Sequence, residues 1–226
     1  MKETQNILYI ALALLLAVLL INQIQIVGLQ QATMQEQHER MPVTEMNLDA
    51  VEVQNIQSTA QGLASVYALQ GLSSEQVAQK MIPTGTPAYG EVMGVSYDDP
   101  IGSLNTLARA YPALKADVHA NHPEAYDRWL SLAASPKGIS CEFCCGLEAQ
   151  SVTAQGQDMC GCQHHPALQA VTLWLASNTD YSDAEILKEA YTWKTLFFPQ
   201  DMVSLGAQIA GGDEEVLQLP SMVGGC

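Results

Sequence analysis

The chain has 226 residues, with 9 Lys and Arg against 24 Asp and Glu, and its formal net charge is −15. This length suffices for one sizeable domain and a terminal anchor. A surface this acidic repels polyphosphates and anionic lipid headgroups, so the composition argues against a nucleic-acid partner.

Residues 1–28 are predicted to form a transmembrane anchor. Residues 7–21 are uninterruptedly apolar, and the apolar stretch continues, diluted by three polar residues, to position 27. About 20 apolar residues span a bilayer core as a helix. A cleaved secretory signal is the competing interpretation, but no Ala-x-Ala-like site follows. Lys2 precedes the stretch and Arg40 follows it among acidic neighbours, which favours a single-pass cell-membrane protein with its bulk outside the cytoplasm.

A polar, Gln-rich stalk is predicted over residues 29–46, a mainly α-helical domain over residues 47–210, and a flexible tail over residues 211–226. Capping-box patterns predict two of the helix starts, Ser73 with Gln76 and Ser182 with Glu185. Apolar residues at helical spacing predict the buried faces. These residues are Ile56, Ala60, Leu63 and Tyr67; Ile101, Leu104, Leu107, Ala108 and Tyr111; Tyr126, Trp129, Leu130 and Ala133; Leu168, Val171, Trp174 and Leu175; and Ile186, Ala190, Trp193 and Phe197.

Prolines and glycines predict the breaks between these helices. Residues 83–100 contain three Pro and three Gly but also apolar side chains, so they are expected to form an ordered loop. Pro166 fits the first turn of a helix, and Pro199 is expected to end the helix that begins at Ser182. Any strands are expected to be confined to the cysteine-rich segment.

Seven potential metal ligands fall within 25 residues of the domain. Thiolate and imidazole are the donors that zinc, copper and iron–sulfur centres need, and such close spacing rarely arises from packing alone. The sequence therefore predicts a Cys/His metal centre. The residues are Cys141, Cys144, Cys145, Cys160, Cys162, His164 and His165.

The cysteine spacing divides these ligands into two groups. Four thiolates complete a tetrahedral shell, and the two pairs Cys141 with Cys144 and Cys160 with Cys162 predict a zinc-ribbon- or knuckle-like insertion. The segment between the pairs has the length of a β-hairpin, with Gly156 near its turn. The leftover residues could replace one thiolate, complete a second metal position or serve a redox role. They are Cys145, His164 and His165.

Zinc is the expected ion, with cuprous copper and an iron–sulfur cluster as alternatives. The helix expected at Pro166 would favour thiolate at its N-terminus. Three bridges among the six cysteines are an alternative outside the cytoplasm, although the adjacent Cys144 and Cys145 could not bridge each other comfortably.

Two further functions stay open. Cys141 and Cys144 could form a thioredoxin-like redox pair of a thiol–disulfide oxidoreductase, although no βαβ pattern surrounds them. The chain could also be a surface-assembly or interaction protein in which disulfides or a metal at the cluster only stabilise the fold. No nucleophile elbow, P-loop or dinucleotide fingerprint occurs, which favours a non-enzymatic role.

Four segments resemble a known group of proteins. GTPAYGEVMGVSYDD, ISCEFCCG, MCGCQHHPAL and DAEILKEAYTWKTLFFP are similar to segments of short, membrane-anchored proteins from uncultivated archaea, in which the cysteine segments read roughly CEYCCG and CGCAH. The similarity covers residues 82–200. It implies an anchored, cysteine-rich archaeal protein and transfers no mechanism.

Overall fold

The computed structural model describes residues 46–145 and 149–218, which lie in one compact unit, Glu45–Cys226. The predicted anchor, the stalk up to position 45 and the end of the predicted tail lie outside the described residues, and so does Cys226. In the part of the chain that is described, no helix has both the length and the apolar character needed to cross a membrane.

The described residues form a mainly α-helical domain, as the sequence predicts, and they contain no strands. Two short 3-10 turns, Leu48–Ala50 and Val53–Asn55, precede the first α-helix. The α-helices are α1 (Thr59–Val66), α2 (Ser74–Met81), α3 (Gly90–Met93), α4 (Pro100–Asn121), α5 (Pro123–Ala133), α6 (Glu142–Cys145), α7 (His164–Asn178), α8 (Asp183–Phe197), α9 (Pro199–Ala210) and α10 (Glu214–Gln218).

Both predicted capping boxes are present. Ser73 accepts a hydrogen bond from the backbone of Gln76 at the start of α2, and Ser182 does the same with Glu185 at the start of α8. Each Gln or Glu side chain reciprocates to its capping residue, so two orphan backbone donors are satisfied at each helix start.

The structure differs from the sequence prediction in two segments near the C-terminus. Pro199 follows the end of α8 as predicted, but it is also the first residue of α9, which the sequence did not predict. A first-turn proline costs a helix nothing because its missing N–H would lack an intrahelical acceptor anyway. In the tail that was expected to be flexible, α10 forms and buries Val216.

The predicted β-hairpin between the cysteine pairs is reduced to one short antiparallel contact in the described residues 149–159. Val152 and Asp158 form a single antiparallel bridge, and the backbone N–H groups of Thr153 and Met159 donate to the Gln157 and Ser151 carbonyls at 2.8 and 3.2 Å. Gly156 lies in the turn with φ +76°. The backbone N–H groups of Ser151 and Val152 both point to the Ala133 carbonyl, at 3.0 and 3.3 Å. The Ser151 N–H, which a longer ladder would direct to Met159, is therefore taken by the end of α5, and the pairing extends no further.

The core lies around α7 and α8. Helix α7 packs against α4, α5 and α8, while α8 also packs against α1 and α9. Trp129 of α5 and Trp193 of α8 are completely buried, which confirms their assignment to the core.

Helix α8 also holds the N-terminal third of the domain by hydrogen bonds. Tyr89 and Tyr97 both donate to Glu189 at 2.7 Å, and the Trp193 indole donates to the Tyr89 hydroxyl at 2.6 Å. The Tyr67 hydroxyl lies 2.8 Å from that of Thr192. Burial and the Glu189 carboxylate raise the pKa of Tyr89 and Tyr97, so both phenols stay protonated as donors.

Gly62 allows the close approach of α1 and α8. A Cβ at this position would overlap the Tyr191 phenol, whose hydroxyl donates to the Lys137 carbonyl. Replacing an interior helix glycine by alanine ordinarily stabilises by about 1 kcal/mol. We expect the opposite sign for Gly62→Ala, a loss of about 1–3 kcal/mol from overpacking. Denaturant unfolding should show this loss. Gly211→Ala, which meets only ordinary contacts, is the control and should change stability by less than about 0.5 kcal/mol.

Candidate metal centre

Two separate segments, Cys141–Cys144 and Cys160–His164, bring predicted ligands close together. Cys141 immediately precedes α6, and the backbone N–H of Cys144 bonds the Cys141 carbonyl at 2.9 Å, which closes one helical turn. Cys160 and Cys162 immediately precede α7, whose first residue is His164. The backbone N–H of Cys162 points to the Cys160 sulfur at 3.4 Å. The site thus lies where the starts of α6 and α7 meet.

Five ligand atoms fall into two overlapping groups of three. Within each group all ligand atoms lie within 4.8 Å of one another, and Cys162 is common to both. The structure therefore pairs Cys160 with Cys162, as predicted, but places Cys141 and Cys144 in different groups. The first group is Cys141, Cys160 and Cys162, and the second is Cys144, Cys162 and His164.

The sulfur contacts are too long for covalent bridges. The Cys141 sulfur lies 3.3 Å from that of Cys160 and 3.1 Å from that of Cys162. A disulfide bond measures about 2.05 Å. The arrangement of three sulfurs around one point suits a shared ion, because a disulfide joins only two.

Two of the seven predicted ligands are not in these groups. His165 is buried, and its Nε2 lies 3.1 Å from a carboxylate oxygen of Asp158. The Cys145 side chain is outside the described structure, so its predicted role stays a prediction.

The electrostatics favour a thiolate at Cys162. The hydrogen bond with Cys141 lowers the pKa of Cys162, and contacts from His164 and the His165 backbone N–H lower it further against the effect of burial. The same hydrogen bond, together with burial, raises the pKa of Cys141. The His165 backbone N–H lies in the first turn of α7, so the helix start contributes to this shift after the larger effect of Cys141.

The surroundings of the ligands fit a bound cation. Among the described residues, the buried side-chain nitrogen and oxygen atoms without a hydrogen-bond partner all belong to residues 140–169, and His164 Nδ1 is one of them. The His164 ring packs against Phe197 and Phe198, with centroids 5.6 and 4.7 Å away. Buried polar atoms normally have partners, and His164 is the one residue of this set that belongs to a donor group, so its ring fits a bound ion. Thiolates with an imidazole suit zinc or cuprous copper.

A buried ion pair supports the first ligand segment. Lys194 Nζ lies 2.7 Å from Glu142 Oε1, and their side chains are 0% and 2% exposed. Lys194 also donates to the Thr59 hydroxyl and to the Gly138 carbonyl, both at 3.0 Å. Burial lowers the pKa of Lys194, and Glu142 opposes that shift. Because Glu142 directly follows Cys141, this network fixes the start of α6.

Asp158 plays the corresponding part beside the second segment. It accepts hydrogen bonds from Tyr111 at 2.7 Å and Lys115 at 3.0 Å, and it contacts His165. Burial alone would raise the pKa of Asp158, but these hydrogen bonds together hold it below its usual range.

Sequence reasoning missed Glu142, Lys194 and Asp158. A single lysine within the apolar run of YTWKTLFF, and a glutamate inside the CxxC pair, were the available signals. Nothing in the sequence marked Asp158.

Comparisons with known proteins do not supply a function. No protein-family model matches the chain, and neither curated proteins nor solved structures give a match. The resemblance to archaeal segments therefore stays a prediction, and the functional argument depends on the geometry of the site.

Proposed function

We propose that the chain is a membrane-anchored, extracytoplasmic metal-binding protein with a Cys/His centre. The convergence of five soft donors at the starts of α6 and α7 carries this proposal. The anchor and the location depend on the apolar residues 7–27. Partners are the membrane through that anchor, and other proteins or copies of the chain. The ligands are Cys141, Cys144, Cys160, Cys162 and His164, with Cys145 and His165 as secondary candidates.

Zinc is the proposed ion, ahead of cuprous copper and an iron–sulfur cluster. Zinc takes cysteine and histidine ligands in structural sites and would cross-link the two ligand segments. The Phe197 and Phe198 rings shield one side of His164. The buried Glu142–Lys194 ion pair holds the Cys141 segment in place from the core side. These features support a structural or metal-handling role rather than a catalytic one.

A second candidate function is thiol–disulfide exchange. The pair that supports it is Cys141 with Cys162, whose sulfurs lie 3.1 Å apart, rather than the Cys141–Cys144 pair expected from sequence. The Cys162 thiolate would attack a partner's disulfide, and Cys141 would then displace the partner's second thiol. Two electrons thereby pass to the partner, which is reduced to a dithiol, and a Cys141–Cys162 disulfide remains.

Metal and thiol content of anaerobically purified protein tests these functions. We expect stoichiometric metal and titratable thiols that react only after a chelator is added. A metal-free protein whose cysteines are all oxidised would contradict the metal proposal. A metal-free protein with a reversible two-electron dithiol couple would instead favour the exchange reaction. Replacing Cys141 by Ser should abolish that couple.

A further inference from the structure

The two donor groups share one sulfur, and this arrangement raises the question of how many ions the centre holds. The first group supplies three thiol sulfurs, and the second supplies two sulfurs and an imidazole. Only Cys162 belongs to both. No four of the described donors lie within 4.8 Å of one another, so each set offers an ion three protein ligands and leaves a fourth position for water or another ligand.

We infer that the centre binds two ions, bridged by the Cys162 thiolate. This inference depends on the proposed metal-binding function. One ion lies with Cys141 and Cys160, and the other with Cys144 and His164. A thiolate sulfur has enough lone pairs to bind two ions, and Cys162 is the residue that both groups require.

Charge balance supports two divalent ions. Four thiolates carry a charge of about −4, which one Zn²⁺ leaves at about −2 and two Zn²⁺ neutralise. Cys141 is completely buried, and Lys194, which also interacts electrostatically with Cys141, is already paired with the Glu142 carboxylate. Burying a net charge is costly, so neutralisation by a second ion matters most at the buried Cys141.

The distances and exposure permit ion entry. Three thiolates around one Zn²⁺ at about 2.3 Å from each sulfur lie about 3.8 Å apart. The sulfurs of the first group therefore need to open only slightly from the observed 3.1 and 3.3 Å. The other donors are half-buried, so ions can reach them from solvent. They are Cys144, Cys160, Cys162 and His164.

Native mass spectrometry of the reduced full chain, titrated with Zn²⁺ and separately with Cu⁺, counts the ions directly. We expect saturation at two ions per chain. A chain that binds no ion would contradict the proposed function itself. A chain that saturates at one ion would support the proposed function and overturn the bridged pair.

Variants assign each ion to its group. Cys160→Ser and His164→Gln should each keep one ion, because each removes a ligand of only one group. Cys162→Ser should lose tight binding of both. If all three variants behave alike, the two groups are not separate sites. Circular dichroism checks that each variant folds.

Cobalt substitution needs no variant. The second equivalent of Co²⁺ should reduce the electron paramagnetic resonance signal of the first, because a bridging thiolate couples the two spins. Signals that simply add would overturn the bridge.

Discussion

Replacing Lys194 by methionine should lower the free energy of unfolding by about 3–5 kcal/mol, as expected when one partner of a buried ion pair is removed. Among the described residues, Glu142 would then hold a carboxylate at 2% exposure with the Thr59 hydroxyl as its remaining donor, and its second oxygen already lacks a partner. The Gly138 carbonyl would also lose its ammonium donor. Denaturant unfolding of the metal-loaded chain measures the effect.

The double variant Glu142→Gln with Lys194→Met separates the charge from the packing. It should be more stable than Lys194→Met alone, because no uncompensated charge remains buried. Arg128→Met is the matched control, since Arg128 pairs with Asp183 where both side chains are about a third exposed. It should cost about 1 kcal/mol or less. Equal losses for Lys194→Met and Arg128→Met would contradict a structural role for the buried pair.

Removal of metal should have the second large effect. At a free zinc concentration about 1,000 times the dissociation constant, binding stabilises the native state by about 4 kcal/mol. For a domain of this size, chelation should then lower Tm by about 8–16 °C. Differential scanning calorimetry with and without a chelator measures the shift.

Two controls make the chelation result specific. Added zinc should restore the melting temperature, whereas added magnesium should not, because magnesium prefers oxygen ligands. Cys162→Ser should already melt at the lower temperature and respond little to the chelator. An unchanged melting temperature in the purified, metal-containing protein would mean that the ion does not stabilise the fold.

The sequence predicts well those features that depend on neighbouring residues. The capping boxes at Ser73 and Ser182 each need residues only three positions apart, and both are present. Pro199 shows the limit of such local rules. The same residue ends α8 and starts α9, because proline is excluded from helix interiors but accepted in the first turn.

The candidate site was predictable in composition but not in grouping. Spacing alone paired Cys141 with Cys144, whereas the fold brings Cys141 to Cys160 and Cys162. These contacts depend on how α7 packs against the rest of the core, and the spacing of the cysteines in the sequence does not encode that packing. Lys194 illustrates the same limit, since a lone lysine is ordinarily exposed. Its partner Glu142 lies 52 positions away.

The position of α8 has a consequence for synthesis. Tyr67, Tyr89 and Tyr97 find their hydrogen-bond partners on α8, across sequence separations of 125, 100 and 92 residues. Contacts so distant in sequence form late, because long loops must close first. The segments that contain these tyrosines therefore lack their hydrogen-bond partners until residues 183–197 have been translated. The hydrogen bonds that attach the N-terminal third of the domain to α8 therefore form only after most of the chain has been translated.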